Sequence, residues 1–201
     1  MNYRKMDATH FINTMKKILI PLLAALLLLY CTSKHQPAKT VKKEEYVCLP
    51  CGYECDSTVF TDSGTCEKCK MELVKKSTVK FSNIQPSALY SFVKEKGTTN
   101  VLLLDVRTPA EFAGTAAEKF GKLKGAINIP VQQLNERIAE LDAYKNKPII
   151  VYCSHSHRSP AASYLLTQHG FSKVSNLLHG MHTWLQDVTD KESNDSLYIA
   201  Q

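Results

Sequence analysis

Three things are scarce in this chain of 201 residues. It has no apolar run approaching the roughly 20 residues that a permanent membrane-spanning helix needs; the longest runs from Ile18 to Leu29. It has little charge of one sign. The formal net charge is +6, but residues 1–30 hold Arg4, Lys5, Lys16 and Lys17 against Asp7 alone, and the remainder carries only 21 basic against 18 acidic residues. That balance is too weak to argue for nucleic acid as a partner. No internal repeat or low-complexity tract is present either. With 44% apolar and 22% charged residues, the composition excludes a disordered, collagen-like or multi-span membrane chain. At about 150 residues per domain, the length allows one domain with a remainder, or two small ones.

Cysteine, by contrast, is plentiful and unevenly placed. Of seven, Cys31 follows the apolar run, Cys48, Cys51, Cys55, Cys66 and Cys69 crowd together, and Cys153 stands alone. The stretch MKKILIPLLAALLLLYC from Met15 has two lysines, an apolar run and a cysteine, the layout of a signal peptide. Residues 1–30 are therefore read as an export signal with its natural start at Met15. Leu28-Leu29-Tyr30-Cys31 resembles the lipobox of bacterial lipoproteins, which implies lipidation at Cys31 and a membrane anchor facing the periplasm. Tyr30 stands where a small residue is usual, and ordinary secretion is the alternative. Residues 31–45 are polar, without an apolar period, and read as a solvated tether.

Residues 46–76 contain Cys48-x2-Cys51 and Cys66-x2-Cys69, separated by fourteen residues. A two-residue gap lets both thiolates of a turn face one ion, so Cys48, Cys51, Cys66 and Cys69 form a candidate tetrahedral site of zinc-ribbon type. Cys55 is the odd one. The segment also resembles the short heavy-metal-binding module found beside metal-efflux proteins, on Tyr46, Cys48, Cys51, Gly64, Cys66, Cys69, Met71, Leu73 and Val74. Leu49 and Cys51 replace that module's proline and histidine, which softens the donor set. Structural zinc is the leading reading. A pair of disulfides and a transported or sensed metal are the alternatives, since an exported compartment is oxidising and so short a segment cannot fold on an apolar core alone.

From about residue 78 short apolar runs alternate with helical periods. Asn83-Ile84-Gln85-Pro86 opens a helix with Leu89, Phe92 and Val93 on its inner face, ended by Gly97. VLLLDV at 101–106 and IIVYC after Pro148 are continuous apolar runs, as in parallel strands covered on both faces. Leu134, Ile138 and Leu141 recur at helical spacing, a helix begins near Pro160, and a short strand follows at Val174–Leu178. The alternation predicts an α/β fold, a parallel sheet with helices on both faces and right-handed crossovers. In such sheets reactive groups collect beyond the carboxyl ends of the strands, where Asp105, Arg107 and Cys153 fall.

Cys153-Ser154-His155-Ser156-His157-Arg158-Ser159 lies between a strand and a helix. Its small polar residues let backbone N–H groups turn inward and, with the helix N-terminus, form an anion-binding nest. A thiol at the start of such a loop sits in positive potential, which favours the nucleophilic thiolate. The order of Asp105-Val106-Arg107 with Glu111-Phe112, Gly125-Ala126-Ile127-Asn128-Ile129-Pro130, Cys153-x4-Arg158 and Gly180-Met181 with Trp184 resembles the rhodanese family over residues 78–190, leaving 191–201 as a C-terminal tail.

That resemblance implies a sulfurtransferase in which Cys153 takes the outer sulfur of a small donor such as thiosulfate and passes it, as a persulfide, to a thiol or cyanide-like acceptor, with no cofactor for the transfer. Arg158 and the loop residues Ser154, His155, Ser156, His157 and Ser159 would hold the anion, while Asp105 and Arg107 order the rim. Met181 and Trp184 read as core contacts. Related phosphatases and arsenate reductases carry five residues between Cys and Arg, where this chain has four. A non-catalytic metal, sulfide or redox-sensing module is the reading from a different class.

Overall fold

The computed structural model describes residues 43–52 and 54–201. The expected export signal, Cys31 and most of the tether lie outside the described residues. Among those described, no helix is long and apolar enough to cross a membrane.

The cysteine-rich segment forms three two-residue strands, β1 (Tyr46–Val47), β2 (Val59–Phe60) and β3 (Val74–Lys75), in an antiparallel sheet of order β2-β1-β3. Its interior consists of Cys48, Cys51, Cys55, Cys66 and Leu73, with Tyr46, Phe60, Cys69 and Met71 packed around them. That is little apolar surface to offset the entropy of ordering some thirty residues. The last tether residues join this unit: Glu45 O accepts from Lys76 N at 2.8 Å, and Glu44 pairs with Lys75.

Beyond it lies a five-stranded parallel sheet. Its strands are β4 (Ser82–Ile84), β5 (Leu102–Asp105), β7 (Ile127–Asn128), β8 (Ile149–Tyr152) and β9 (Val174–Leu177), in the order β4-β9-β8-β5-β7. Successive side chains of a strand point to opposite faces, so the unbroken apolar runs of β5 and β8 feed two cores. Leu102, Leu104, Ile149 and Val151 pack with Leu134, Leu141, Ala162 and Leu166 on one face. Leu103, Ile150 and Tyr152 pack with Leu89, Val93, Trp184 and Leu197 on the other. The helices Pro86–Lys96, Val131–Arg137 and Ser159–Gln168 cover these cores. The α/β fold with a parallel sheet covered on both faces is as the sequence predicts.

Three local differences have physical causes. Asn83 and Ile84 belong to edge strand β4 rather than to the helix, which starts at Pro86. The ring of a proline fixes its own φ for a first helical turn while steering the preceding residue toward extended backbone. The helical period through Leu141 continues past Arg137 as a 3-10 segment, Ile138–Tyr144. Finally, residues 191–201 are not a tail. Lys191–Leu197 is a helix capped by Asp190, and β10 (Tyr198–Ile199) pairs antiparallel with β6 (Lys122–Leu123). Asn194 Oδ1 accepts from the Trp184 indole at 2.8 Å, and the Tyr198 ring stacks 6.2 Å from that of Trp184.

Candidate active site

Strands β5 and β8 are parallel neighbours with Asp105 opposite Tyr152, and Val106 N donates to Tyr152 O at 3.0 Å. Their carboxyl ends therefore deliver Arg107 and Cys153 to the same rim. Cys153 is 1% exposed, and its sulfur lies 3.4 Å from the hydroxyl of Ser159, the first residue of the ten-residue helix Ser159–Gln168. That helix N-terminus directs partial positive charge at the thiol.

The loop from Cys153 to Ser159 is fastened at several points. Ser156 takes a left-handed φ of 57° and donates to Leu177 O, at the end of β9, at 3.0 Å. Cys153 O accepts from Met181 N and Ser154 O from His182 N, both at 3.0 Å. The close approach requires Gly180, because a Cβ there would stand 2.5 Å from both carbonyl oxygens.

Arg158, half-buried, makes a two-pronged contact with Glu111, each guanidinium nitrogen 2.7 Å from a carboxylate oxygen, and also donates to Ser154 Oγ at 3.2 Å. Ser154 Oγ in turn donates to Glu111 Oε1 at 2.8 Å. The Glu111 contact foremost favours the charged form of Arg158, against the opposing effect of its burial. Glu111 is held from its other side by a capping box: Thr108 N and Oγ1 donate to Glu111 Oε2 at 2.9 and 2.8 Å. Arg158 foremost, then Thr108 and Ser154, keeps the Glu111 carboxyl far below the usual carboxylate range, against the opposing effect of its burial.

Asp105 and Arg107 are fully buried and paired with each other at 2.7 Å; Arg107 also donates to Gly121 O at 2.9 Å. Burial works against the Arg107 charge, and the Asp105 carboxylate outweighs it. The polar atoms of this fork are engaged within the rim. His155 contacts the edge of Phe120 at 5.1 Å and leans over His182 at 4.4 Å. Burial first, and the neighbouring His182 next, depress its pKa and favour the neutral ring. His157 is exposed. Met181 and Trp184 are buried in the second core.

A second constellation lies in the cysteine-rich unit. The sulfurs of Cys48, Cys55, Cys66 and Cys69 all lie within 4.8 Å of one another. Cys51, expected among the four, instead groups with Cys55 and Asp56. Both Cys51 N and Gly52 N donate to the Asp56 carboxylate, at 3.0 and 2.9 Å, and Cys51 Sγ donates to Asp56 Oδ1 at 3.2 Å. The carboxylate thereby draws the Cys51 turn toward itself, while the 3-10 turn Glu54–Ser57 carries Cys55 inward. The Cys69 backbone N–H and the Cys48 thiol bring Cys66 down to about 6, whereas burial pushes Cys48 and Cys55 up.

A family model for the rhodanese-like domain matches residues 88–187. A sulfurtransferase of Allochromatium vinosum is 34% identical over 87 residues, which are 43% of this chain and 74% of that protein. The chain belongs to the rhodanese-like family. The thiosulfate sulfurtransferase PspE of Escherichia coli is 34% identical over 73 residues, 36% of this chain and 64% of that protein. Protein YqhL of Bacillus subtilis is 38% identical over 88 residues, 44% of this chain and 64% of that protein. The chain thus spans about two thirds of the length of these curated relatives. The four-thiol cluster lies outside the match to the rhodanese-like family model.

Two residues carry more of these sites than sequence reading assigned them. Glu111 was visible only as part of a motif, although Thr108-Pro109-Ala110-Glu111 is a legible capping box that fixes its carboxylate. Cys55 had no spacing signal, because its place in the cluster depends on the 3-10 turn.

Proposed function

We propose that this protein is a sulfurtransferase that carries sulfane sulfur on Cys153. The thiolate attacks the outer sulfur of a thiosulfate-like donor. A new S–S bond forms to Cys153, the donor's S–S bond breaks with its electron pair, and sulfite leaves. A second thiophile, a thiol or a cyanide-like anion, then attacks the outer sulfur and regenerates the thiolate. The halves share one covalent intermediate, which predicts ping-pong kinetics.

The observation that carries this reading is Cys153 at the start of a four-residue spacer to Arg158, beside a helix N-terminus and with its loop carbonyls already engaged. The N–H end of a helix is a fixed dipole that stabilises a developing anion without reorganising, and the engaged carbonyls hold the loop in place beside it. The PspE name supports thiosulfate as donor, and the short spacer argues against phosphatase or arsenate reductase chemistry. The loop residues Ser154, His155, Ser156, His157 and Ser159 bound the anion site, and Asp105 and Arg107 position its rim. Exposure to thiosulfate should add one sulfur atom to the intact mass of the wild type and none to Cys153→Ser. An unmodified wild type would end the proposal.

The cysteine-rich segment is read as holding a soft metal, zinc foremost, in a structural role; the rhodanese half-reactions do not use it. Export from a start at Met15, with a lipid on Cys31 anchoring the chain to a periplasm-facing membrane, completes the proposal. Mass analysis of membrane-extracted protein for a diacylglyceryl adduct on Cys31 tests it, and a soluble, unmodified mature chain would refute it.

A further inference from the structure

The five cysteines of the ribbon divide into four and one. Cys69 Sγ lies 3.8 Å from Cys48 Sγ, and all four sulfurs of the Cys48, Cys55, Cys66 and Cys69 group fall within 4.8 Å of one another. A regular tetrahedron with Zn–S bonds of about 2.3 Å has S···S edges of about 3.8 Å. A disulfide brings its sulfurs to about 2.05 Å. The cluster therefore has the dimensions of a four-thiolate cage rather than of two bridged pairs.

We propose that Cys48, Cys55, Cys66 and Cys69 bind one soft divalent metal ion, with zinc as the expected ion, and that Cys51 is not a ligand. This deepens the metal reading above and rests on it, replacing the ligand set that the paired two-residue spacings imply. On binding, the thiol protons pass to solvent as S–metal bonds form; no oxidant or reductant takes part.

The surroundings fit such a cage. Cys66 and Cys69 stand at the two ends of one tight turn, which brings both sulfurs to the cage. The turn that presents them is closed by Lys70 N to Cys66 O at 2.9 Å and Cys66 N to Met71 O at 2.8 Å. Cys51 has a different task. Its N–H, that of Gly52 and its own sulfur all engage Asp56, so the turn is clasped by a carboxylate and stands beside the cage. An open groove of about 430 Å³, with Cys55 and Cys66 in its wall, offers the ion a path from solvent. The three strands of this unit are two residues each and its interior is largely sulfur. A bound ion is the kind of cross-link that lets so small a unit fold.

The experiment uses the full chain, reduced, stripped of metal and reloaded with zinc alone, then with cobalt(II) as a spectroscopic probe. Wild type and Cys51→Ser should each retain one zinc per chain and give equal thiolate-to-cobalt charge-transfer intensity. Cys55→Ser should hold under about a tenth of that zinc, and Cys55→His, which keeps a donor at the position, should recover it with an altered cobalt spectrum. Loss of zinc or of about a quarter of the charge-transfer intensity in Cys51→Ser overturns the ligand assignment. Full zinc retention and an unchanged cobalt spectrum in Cys55→Ser overturn it as well. A reduced wild type that takes up no zinc overturns it together with the metal reading on which it rests.

Discussion

Gly180→Ala tests whether the reactive loop is held by backbone packing. Gly180 has a φ of +67°, and a Cβ there would meet Cys153 O and Ser154 O at 2.5 Å, where ordinary contact begins near 3.4 Å. Alanine in the left-handed region costs about 1 kcal/mol. Because the atoms it meets are backbone, relief requires the loop or the Gly180 segment to move by at least about half an ångström, an overpacking cost of about 1–3 kcal/mol. The hydrogen bonds from Met181 N and His182 N to those same carbonyls stretch as it does. The expected loss is about 3 kcal/mol, or roughly 6–12 °C in Tm for a folded chain of this size. Displacement of Cys153 against its helix N-terminus should slow persulfide formation by roughly 10–100-fold. Thermal melting and single-turnover sulfite release from thiosulfate measure the two effects. The neighbouring His179 is a control of opposite sign: it is a non-glycine residue at φ 62°, and glycine there removes strain while loosening the unfolded chain. His179→Gly should therefore be neutral or stabilising by up to about 1 kcal/mol. A Gly180→Ala protein with wild-type Tm and wild-type persulfide formation would refute the reasoning.

Glu111→Gln should destabilise by about 1–2 kcal/mol at pH 7, since it removes a charge-assisted fork that is only partly exposed. The Glu111 carboxyl is depressed in the fold, chiefly by Arg158, so its contribution is present above its ordinary value of 4.5 and is lost as pH falls below it. The gap between wild type and variant, measured by urea unfolding, should close on acidification; a gap constant from pH 7 to 3 would contradict this. Arg107→Met should cost about 3–5 kcal/mol, because it leaves the Asp105 carboxylate buried without its cation; unchanged stability by the same assay would show that the fork is dispensable. Deleting residues 191–201 should redden the emission of the single tryptophan, Trp184, and lower stability by about 3 kcal/mol or more, through loss of buried Leu197 and the Tyr198 stack. An unshifted emission maximum would argue against that packing.

The central strands and the reactive loop were legible because they follow from local rules. VLLLDV and IIVYC have no polar side to show solvent, and the chemistry sits where those runs end. What the sequence hid depends on contacts between distant segments. Tyr198 and Asn194 fold onto Trp184 although a polar helix, Lys191–Leu197, offers only Leu197 and Ser193 as buried residues. Two-residue spacing named Cys51, whereas a carboxylate five residues on claimed that turn and a single 3-10 turn brought Cys55 into its place.

The Glu111–Arg158 fork also changes what Arg158 is able to do. From sequence, Arg158 is a bare cation at the end of the reactive loop. In the fold its guanidinium is matched at 2.7 Å on both prongs by the Glu111 carboxylate, which a capping box holds from its other side. The pair is neutral as a unit, so its field falls off faster than that of a lone charge. The N-terminus of the Ser159–Gln168 helix, whose first hydroxyl lies beside the Cys153 sulfur, adds a fixed dipole to the field of that pair. Arg158 and Glu111 also brace the Pro109–Ala113 helix against the loop, so a change at either residue is expected to move the loop that carries Cys153 as well as to remove a charge.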